Sequence, residues 1–148
     1  MYKKEKRILV SVISTIIILG VYSFNVYYKY LAENLELIND FKFWGKNFLI
    51  LIPIMIVAQI VIHIIFYIIN RIVAKQDIPD ITDERDKLIE LKAIRVSHVT
   101  FCLGFVLAMG SQAIGMQPYV MFLTLIASCF IAGLAESITQ IYFYSKGG

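Results

Sequence analysis

Four apolar blocks, each about as long as a bilayer-spanning helix, constrain this chain more than any other feature. They cover residues 8–28, 48–69, 96–114 and 119–143. A helix of roughly 20 apolar residues crosses a bilayer, whereas barrel strands would show alternating segments of about ten residues. With 59% hydrophobic residues over 148 positions, the chain is also too apolar for an ordinary soluble domain. The pattern predicts an all-α integral membrane protein, a four-helix bundle forming a single transmembrane domain over residues 1–148.

Basic residues are distributed unevenly around the four blocks. Eleven precede the first block, separate the second from the third, or follow the fourth: Lys3, Lys4, Lys6, Arg7, Arg71, Lys75, Arg85, Lys87, Lys92, Arg95 and Lys146. Only Lys29, Lys42 and Lys46 lie between the first and second. Since basic loops are retained in the cytoplasm, both termini are expected on the cytoplasmic side. The protein itself is expected in a cytoplasmic (inner) membrane. The net charge of +3 therefore indicates topology, and we do not expect nucleic-acid binding.

The connector over residues 70–95 is strongly charged and leads into the third block without a break. Thr82 is a suitable N-cap, and acids in the following turn favour a helix start. We expect a cytoplasmic extension of helix three, uninterrupted until Gly104 or beyond. Its first residues form a predicted docking surface: Asp83, Glu84, Arg85, Asp86 and Lys87.

Small residues recur at helical spacing in the last two blocks. They include Gly104, Ala108 and Ser111 in helix three, and Ala132 and Gly133 in helix four. Such residues let helices approach closely in a membrane. They predict a tightly packed antiparallel hairpin of helices three and four, and they also suit contact with a second copy or another membrane protein.

Between the first two blocks, residues 30–46 combine helical spacing of apolar residues with flanking aromatic rings, which favour the lipid–water boundary. We expect a short interfacial helix there. Polar side chains also mark one edge of helix one, from Ser11 to Asn25, and one stripe of helix two, from Gln59 to Asn70. Such edges usually face protein rather than lipid.

Glu136 is the only acid within a predicted span. A charge there costs at least about 2.5–3.5 kcal/mol on the insertion scale, so it requires neutralisation, a partner or water. Glu136 and His63 both lie about 7 Å toward the cytoplasm from the middle of their blocks, at 1.5 Å per residue. A Glu136–His63 pair with His98 nearby forms a candidate proton or ion site. The alternative is a structural role, in which Glu136 hydrogen-bonds a neighbouring helix or reaches water through the headgroups.

A metal site formed by His63, His98, Cys102 and Glu136 is chemically feasible. Only His98 and Cys102 have an informative spacing, four residues apart on one helical face. No redox pair of cysteines, catalytic signature or phosphate-binding loop is present. The sequence therefore gives no catalytic residue, no metal and no cofactor to predict, and it favours a protein that is not an enzyme.

The segment DERDKLIE at 83–90 leads into a hydrophobic hairpin that ends in IYFYSKG at 141–147. This half of the chain resembles small prokaryotic membrane proteins of unknown function, which carry an Asp-Glu-Arg-Asp stretch before a basic linker. Their last helix has a Tyr-rich, basic end. The resemblance implies a bacterial cytoplasmic membrane protein, and it implies no activity or residue role.

Three functional hypotheses follow. The first is a non-catalytic membrane protein that forms homo-oligomers or binds a partner, through its helices and its charged connector. The second is a small proton-coupled transporter or channel that uses Glu136 and His63. The third is a membrane enzyme or metal protein that uses His98 and Cys102. A large water-filled cavity between Glu136 and His63 would favour transport over partner binding.

Overall fold

The computed structural model describes residues 2–74 and 83–146, and these fold into helices joined by short connections. The four long helices are α1 (Tyr2–Val26), α2 (Phe41–Ala74), α3 (Glu84–Ala113) and α4 (Pro118–Lys146). Each is long and apolar enough to cross a membrane. The predicted all-helical class is confirmed, and the four helices are consistent with a multi-pass membrane protein.

The connection between α1 and α2 differs from the expected interfacial helix over residues 30–46. The chain leaves α1 through a short π-helix, Tyr27–Leu31, and then forms a 3₁₀ helix, Leu35–Asn39. Because α2 already begins at Phe41, the aromatic residues before the second apolar block are helical. Trp44 anchors this region: its Nε1 donates to the carbonyl oxygen of Ile38 at 2.7 Å, and its ring stacks on Phe122 of α4.

Helix α3 starts with a capping box, in which the Asp83 side chain accepts from backbone N–H groups of the first turn and Asp86 accepts from the N–H of Asp83 at 3.1 Å. This arrangement satisfies N–H groups that a helix start leaves unpaired. The N-cap is thus Asp83, whereas the predicted cap Thr82 lies outside the described residues. The helix continues through Gly104 to Ala113 without interruption.

Helices α3 and α4 form the most closely packed part of the structure. Ala93 and Ala108 of α3 are fully buried, and Ser128 and Ala132 of α4 are also buried. The turn between the helices contains Gly115 at φ +83°, a backbone conformation that glycine adopts without strain. Pro118 then opens α4 at its first position, where its missing N–H costs no hydrogen bond.

Helix α1 packs on α2 and α4, and it is joined to α2 by side-chain hydrogen bonds. Ser11 donates to Gln59 Oε1 at 2.9 Å, and Gln59 Nε2 donates to Thr15 Oγ1 at 2.6 Å. Nearer the other end, the Tyr22 hydroxyl donates to the backbone oxygen of Asn47 at 2.9 Å. Ser11, Thr15 and Tyr22 of the polar edge of helix one therefore contact α2, whereas Asn25 is exposed.

Candidate functional site: a polar cleft between the four helices

A cleft of about 440 Å³ lies where the start of α1, the start of α3 and the end of α4 come together, and all four helices contribute to its wall. We call it the polar cleft. Three acids and three basic side chains share the wall with hydroxyl and amide groups: Lys4, Arg7, His63, Asp86, Glu90, Glu136, Ser11, Ser137, Gln140 and Tyr144, together with the apolar Ile8. Charges of opposite sign thus line a cavity in an otherwise apolar molecule.

The mouth of the polar cleft is held by Asp86. Lys4 of α1 forms an ion pair with this carboxylate, and the Tyr144 hydroxyl of α4 also hydrogen-bonds it. The Lys4 ammonium lies 5.8 Å from the centre of the Tyr144 ring. Asp86 belongs to the charged first turn of α3, ahead of the apolar stretch at 96–114. The hydrogen bond from Lys4 lowers the pKa of Asp86, against a smaller opposing effect of burial, and the N–H of Asp83 adds to the lowering.

Glu136 and His63, on α4 and α2, line the same cleft, and both are half-buried. Glu136 is two helical turns from Tyr144, which corresponds to roughly 12 Å along α4 at 1.5 Å per residue. Two of the three residues predicted for a proton or ion site therefore line one cleft, although they are 73 positions apart in sequence.

A second, smaller cleft of about 250 Å³ continues from Glu136 between α1 and α4. It shares Ser11, Glu136 and Ser137 with the polar cleft and adds Thr15, Cys129 and Gly133. Glu136 is therefore common to both clefts. Thr15 is the residue that accepts from Gln59, so the polar lining extends to the hydrogen-bonded contact between α1 and α2.

His98, the third predicted member, is not part of the polar cleft. Its imidazole is exposed on α3, where Nε2 lies 3.6 Å from the Sγ of Cys102. The two side chains thus contact each other across one helical turn. Within residues 2–74 and 83–146, no group of three or more His, Cys, Asp or Glu side chains could hold a metal ion.

The small residues predicted for helix packing occupy two different places. Gly104, Ala108 and Ser111 are buried, as is Ala132. Gly133 is exposed instead, and a Cβ added to it would meet no atom within 4 Å. Gly133 lines the smaller cleft, although it directly follows the buried Ala132 in sequence.

The predicted docking residues also differ in their exposure. Asp83, Glu84, Arg85 and Lys87 are exposed at the start of α3, while Asp86 is half-buried at the mouth of the polar cleft. The rest of the connector, residues 75–82, lies outside the described part of the chain.

Several residues of the polar cleft were not predicted as site residues from the sequence, and their spacing carries a usable signal. Gln140 and Tyr144 follow the predicted Glu136 at steps of four on α4, and Glu90 follows the predicted Asp86 at the same step on α3. Steps of four keep side chains on one helical face. The missing information was that these stripes, all near helix ends, face one another.

Comparison with protein-family models, with curated proteins and with solved structures found no match to this chain. No residue role is therefore transferred from a relative. The resemblance to small prokaryotic membrane proteins rests on the residues quoted for it.

Proposed function

We propose that this chain is a small multi-pass membrane protein that conducts protons, as a channel or as a proton-coupled carrier. Glu136 is the proposed proton site and His63 its partner. The observation that carries the proposal is that both side chains, from α4 and α2, line one polar cleft whose mouth lies at the charged helix ends.

The physical argument concerns the cost of a carboxylate at this depth. An ionised Glu136 in hydrocarbon is unfavourable, whereas a neutral one, or one that meets water and a cation, is not. The polar cleft supplies room for water, the cations Lys4 and Arg7 at its wall, and the imidazole of His63. Glu136 can thus exchange a proton in a setting where both of its forms are tolerated.

The two clefts that share Glu136 give the proton two directions of approach. One side is the wide polar cleft, and the other is the narrower cleft that reaches Thr15 beside Gln59. In a carrier, a small change in the packing of α1 against α4 would alter the access of Glu136 from one side relative to the other. In a channel, water would connect both.

For orientation, we propose that both termini lie in the cytoplasm of a bacterial cell, with the polar cleft opening on that side. Eleven basic residues on one side against three on the other support this topology. The ion pair between Lys4 and Asp86 places the starts of α1 and α3 at the same end of the molecule, as such a topology requires.

Oligomerisation through the small residues of α3 is less well supported by the packing. Gly104, Ala108 and Ser111 lie on a face that is buried against α4, so the same surface is not open to a second copy. Binding of a partner at the start of α3 is a second candidate function, favoured by the exposure of Asp83, Glu84, Arg85 and Lys87. Reversing Glu84 and Arg85 together should abolish crosslinking to that partner or to a second copy, and unchanged crosslinks would contradict it.

Proton conduction is tested in liposomes that contain the purified protein and a trapped pH-sensitive dye. A potassium diffusion potential set by valinomycin should drive proton flux through the wild-type protein, and Glu136→Gln should abolish it. Glu84→Gln is the matched control, because it makes the same chemical change at an exposed position and should leave the flux intact. Equal flux in Glu136→Gln and wild-type liposomes would refute Glu136 as the proton site.

A further inference from the structure

A second large cavity, of about 680 Å³, lies toward the opposite end of the molecule from the polar cleft. We call it the apolar cavity. It lies between α1, α2 and α4 and is partly open to the outside of the molecule. Its wall includes Leu19, Gly20, Trp44, Leu51, Leu123 and Ile126. Its position is fixed by Tyr22 and Asn47, whose hydrogen bond joins α1 to α2 well beyond Ser11 and Gln59.

Three polar side chains of this wall, Tyr22, Trp44 and Asn47, already make hydrogen bonds within the protein. The Tyr22 hydroxyl donates to the carbonyl oxygen of Asn47 at 2.9 Å, and Asn47 Nδ2 donates to the carbonyl oxygen of Phe43 at 2.9 Å. The indole N–H of Trp44 likewise donates to Ile38. A polar ligand that entered here would lose hydrogen bonds to water and gain few from the protein, whereas a hydrocarbon chain has no hydrogen bonds to lose.

The size of the apolar cavity also indicates an occupant. Ligand pockets in proteins measure about 300–1,000 Å³, and an engineered apolar cavity of about 150 Å³ already binds benzene. Empty space of this kind deprives its lining of dispersion contacts. Around helices that cross a bilayer, the abundant apolar molecule is the lipid itself.

Groups suited to a phospholipid headgroup lie beside the wall of the apolar cavity. Lys29 lies next to the wall residues Tyr27 and Tyr28, and its Nζ is 5.6 Å from the centre of the Tyr30 ring. That ring packs edge-on against Phe43, which belongs to the wall, at 5.9 Å. A cation among tyrosines is the arrangement found at the lipid–water boundary, and its charge is complementary to a phosphate.

We propose that the apolar cavity is a lipid-binding site, which holds an acyl chain of a glycerophospholipid with the phosphate at the level of Lys29. The chain lies against Trp44 and Leu51 and reaches Leu123 of α4. Bound lipid in this position fills the space between α1, α2 and α4. This site is independent of proton exchange at Glu136.

The only tryptophan of the sequence, Trp44, lies in this wall and is 8% exposed, so it reports on the cavity directly. The protein is reconstituted in detergent with increasing amounts of phosphatidylcholine that carries bromine on its acyl chains. Bromine quenches tryptophan fluorescence at short range. We expect a loss of Trp44 fluorescence that saturates before the lipid is sufficient to surround the helices.

Two glycines provide a matched pair of variants. An added Cβ meets no atom within 4 Å at Gly20, in the wall of the apolar cavity, or at Gly110, on α3 outside it. Gly20→Phe should fill the cavity and reduce the fluorescence loss, and Gly110→Phe should leave it as in the wild type. Ser23→Phe, at another exposed wall position, is the second filling variant if Gly20→Phe fails to fold.

Three results would overturn the proposal. Absence of quenching in the wild type would show that no acyl chain enters, and quenching that appears only on dilution of the protein would assign the cavity to a second copy. Equal quenching in the wild type and both filling variants would assign the bromine to lipid outside the cavity.

Discussion

Replacement of Gly104 by alanine tests the packing of α3 on α4 most sharply. A Cβ built on Gly104 would overlap both Oγ and Cβ of Ser128, and it would lie 3.4 Å from the Cα of that residue. A change of the Ser128 rotamer cannot relieve the overlap with its Cβ. The two helices must therefore move apart, in the region where Ala108 and Ala132 are buried on the same interface.

The expected magnitude follows from two opposing effects. Overpacking of a well-packed interior costs about 1–3 kcal/mol, while replacement of a glycine in a helix by alanine contributes about 1 kcal/mol in the favourable direction. Gly110→Ala isolates the second effect, because a Cβ there meets no atom within 4 Å on the same helix. Gly104→Ala should thus be less stable than Gly110→Ala by about 1–3 kcal/mol.

The assay is unfolding in mixed micelles of a mild detergent and dodecyl sulfate, followed by circular dichroism. Adding Ser128→Gly to Gly104→Ala should recover much of the loss, because the overlapping atoms are then absent. If Gly104→Ala is as stable as Gly110→Ala, the close approach of α3 and α4 at Ser128 is wrong.

Three further predictions concern other contacts. Gln59→Leu should lower the free energy of unfolding by about 1 kcal/mol in the same assay, since it removes two hydrogen bonds between helices. An unchanged free energy of unfolding would mean that the hydrogen bonds of Gln59 do not hold α1 on α2. Folding lowers the pKa of Asp86, so the stabilisation that this carboxylate contributes is complete above the ordinary pKa of 3.8 and is lost as pH falls through the lowered pKa. Acid should therefore lower the free energy of unfolding of the wild type more than that of Asp86→Asn. Parallel curves of unfolding free energy against pH for the two proteins would contradict the ion pair with Lys4. In a cysteine-free chain, an impermeant thiol reagent should label Glu36→Cys in intact cells and Glu84→Cys only after permeabilisation, and the reverse pattern would refute the proposed topology.

The four helices were predictable because each apolar block is long enough to satisfy both the bilayer and its own backbone. Their ends were less so. Hydropathy marks the part of a helix that lies in lipid, whereas α2 begins at Phe41 and α3 at Glu84, in segments whose aromatic and charged residues are equally compatible with helix outside lipid. The turn at Gly115 was visible because a Gly-Met-Gln-Pro sequence leaves few alternatives.

The candidate site was predictable only in its deepest part. Glu136 was identified because an acid within a span is costly, and His63 because helical depth can be counted along the sequence. Lys4 and Asp86, by contrast, are 82 residues apart, and nothing local indicates that they meet. Their contact depends on how α1 packs beside the α3–α4 hairpin, which is decided by the shapes of whole helix faces.

Proton exchange at Glu136 is the central claim, and infrared spectroscopy of the reconstituted protein tests it without knowledge of any transported solute. The difference spectrum between acidic and alkaline samples should contain a carboxylic acid C=O band in the wild type and in Glu84→Gln. The chain has 11 Asp and Glu residues, so other carboxyl groups also contribute to this band. The component due to Glu136 should be absent in Glu136→Gln, should remain in Glu84→Gln, and should shift in His63→Gln, since His63 lines the same cleft. A wild-type difference spectrum identical to that of Glu136→Gln would show that Glu136 does not exchange its proton, and would contradict the proposed function.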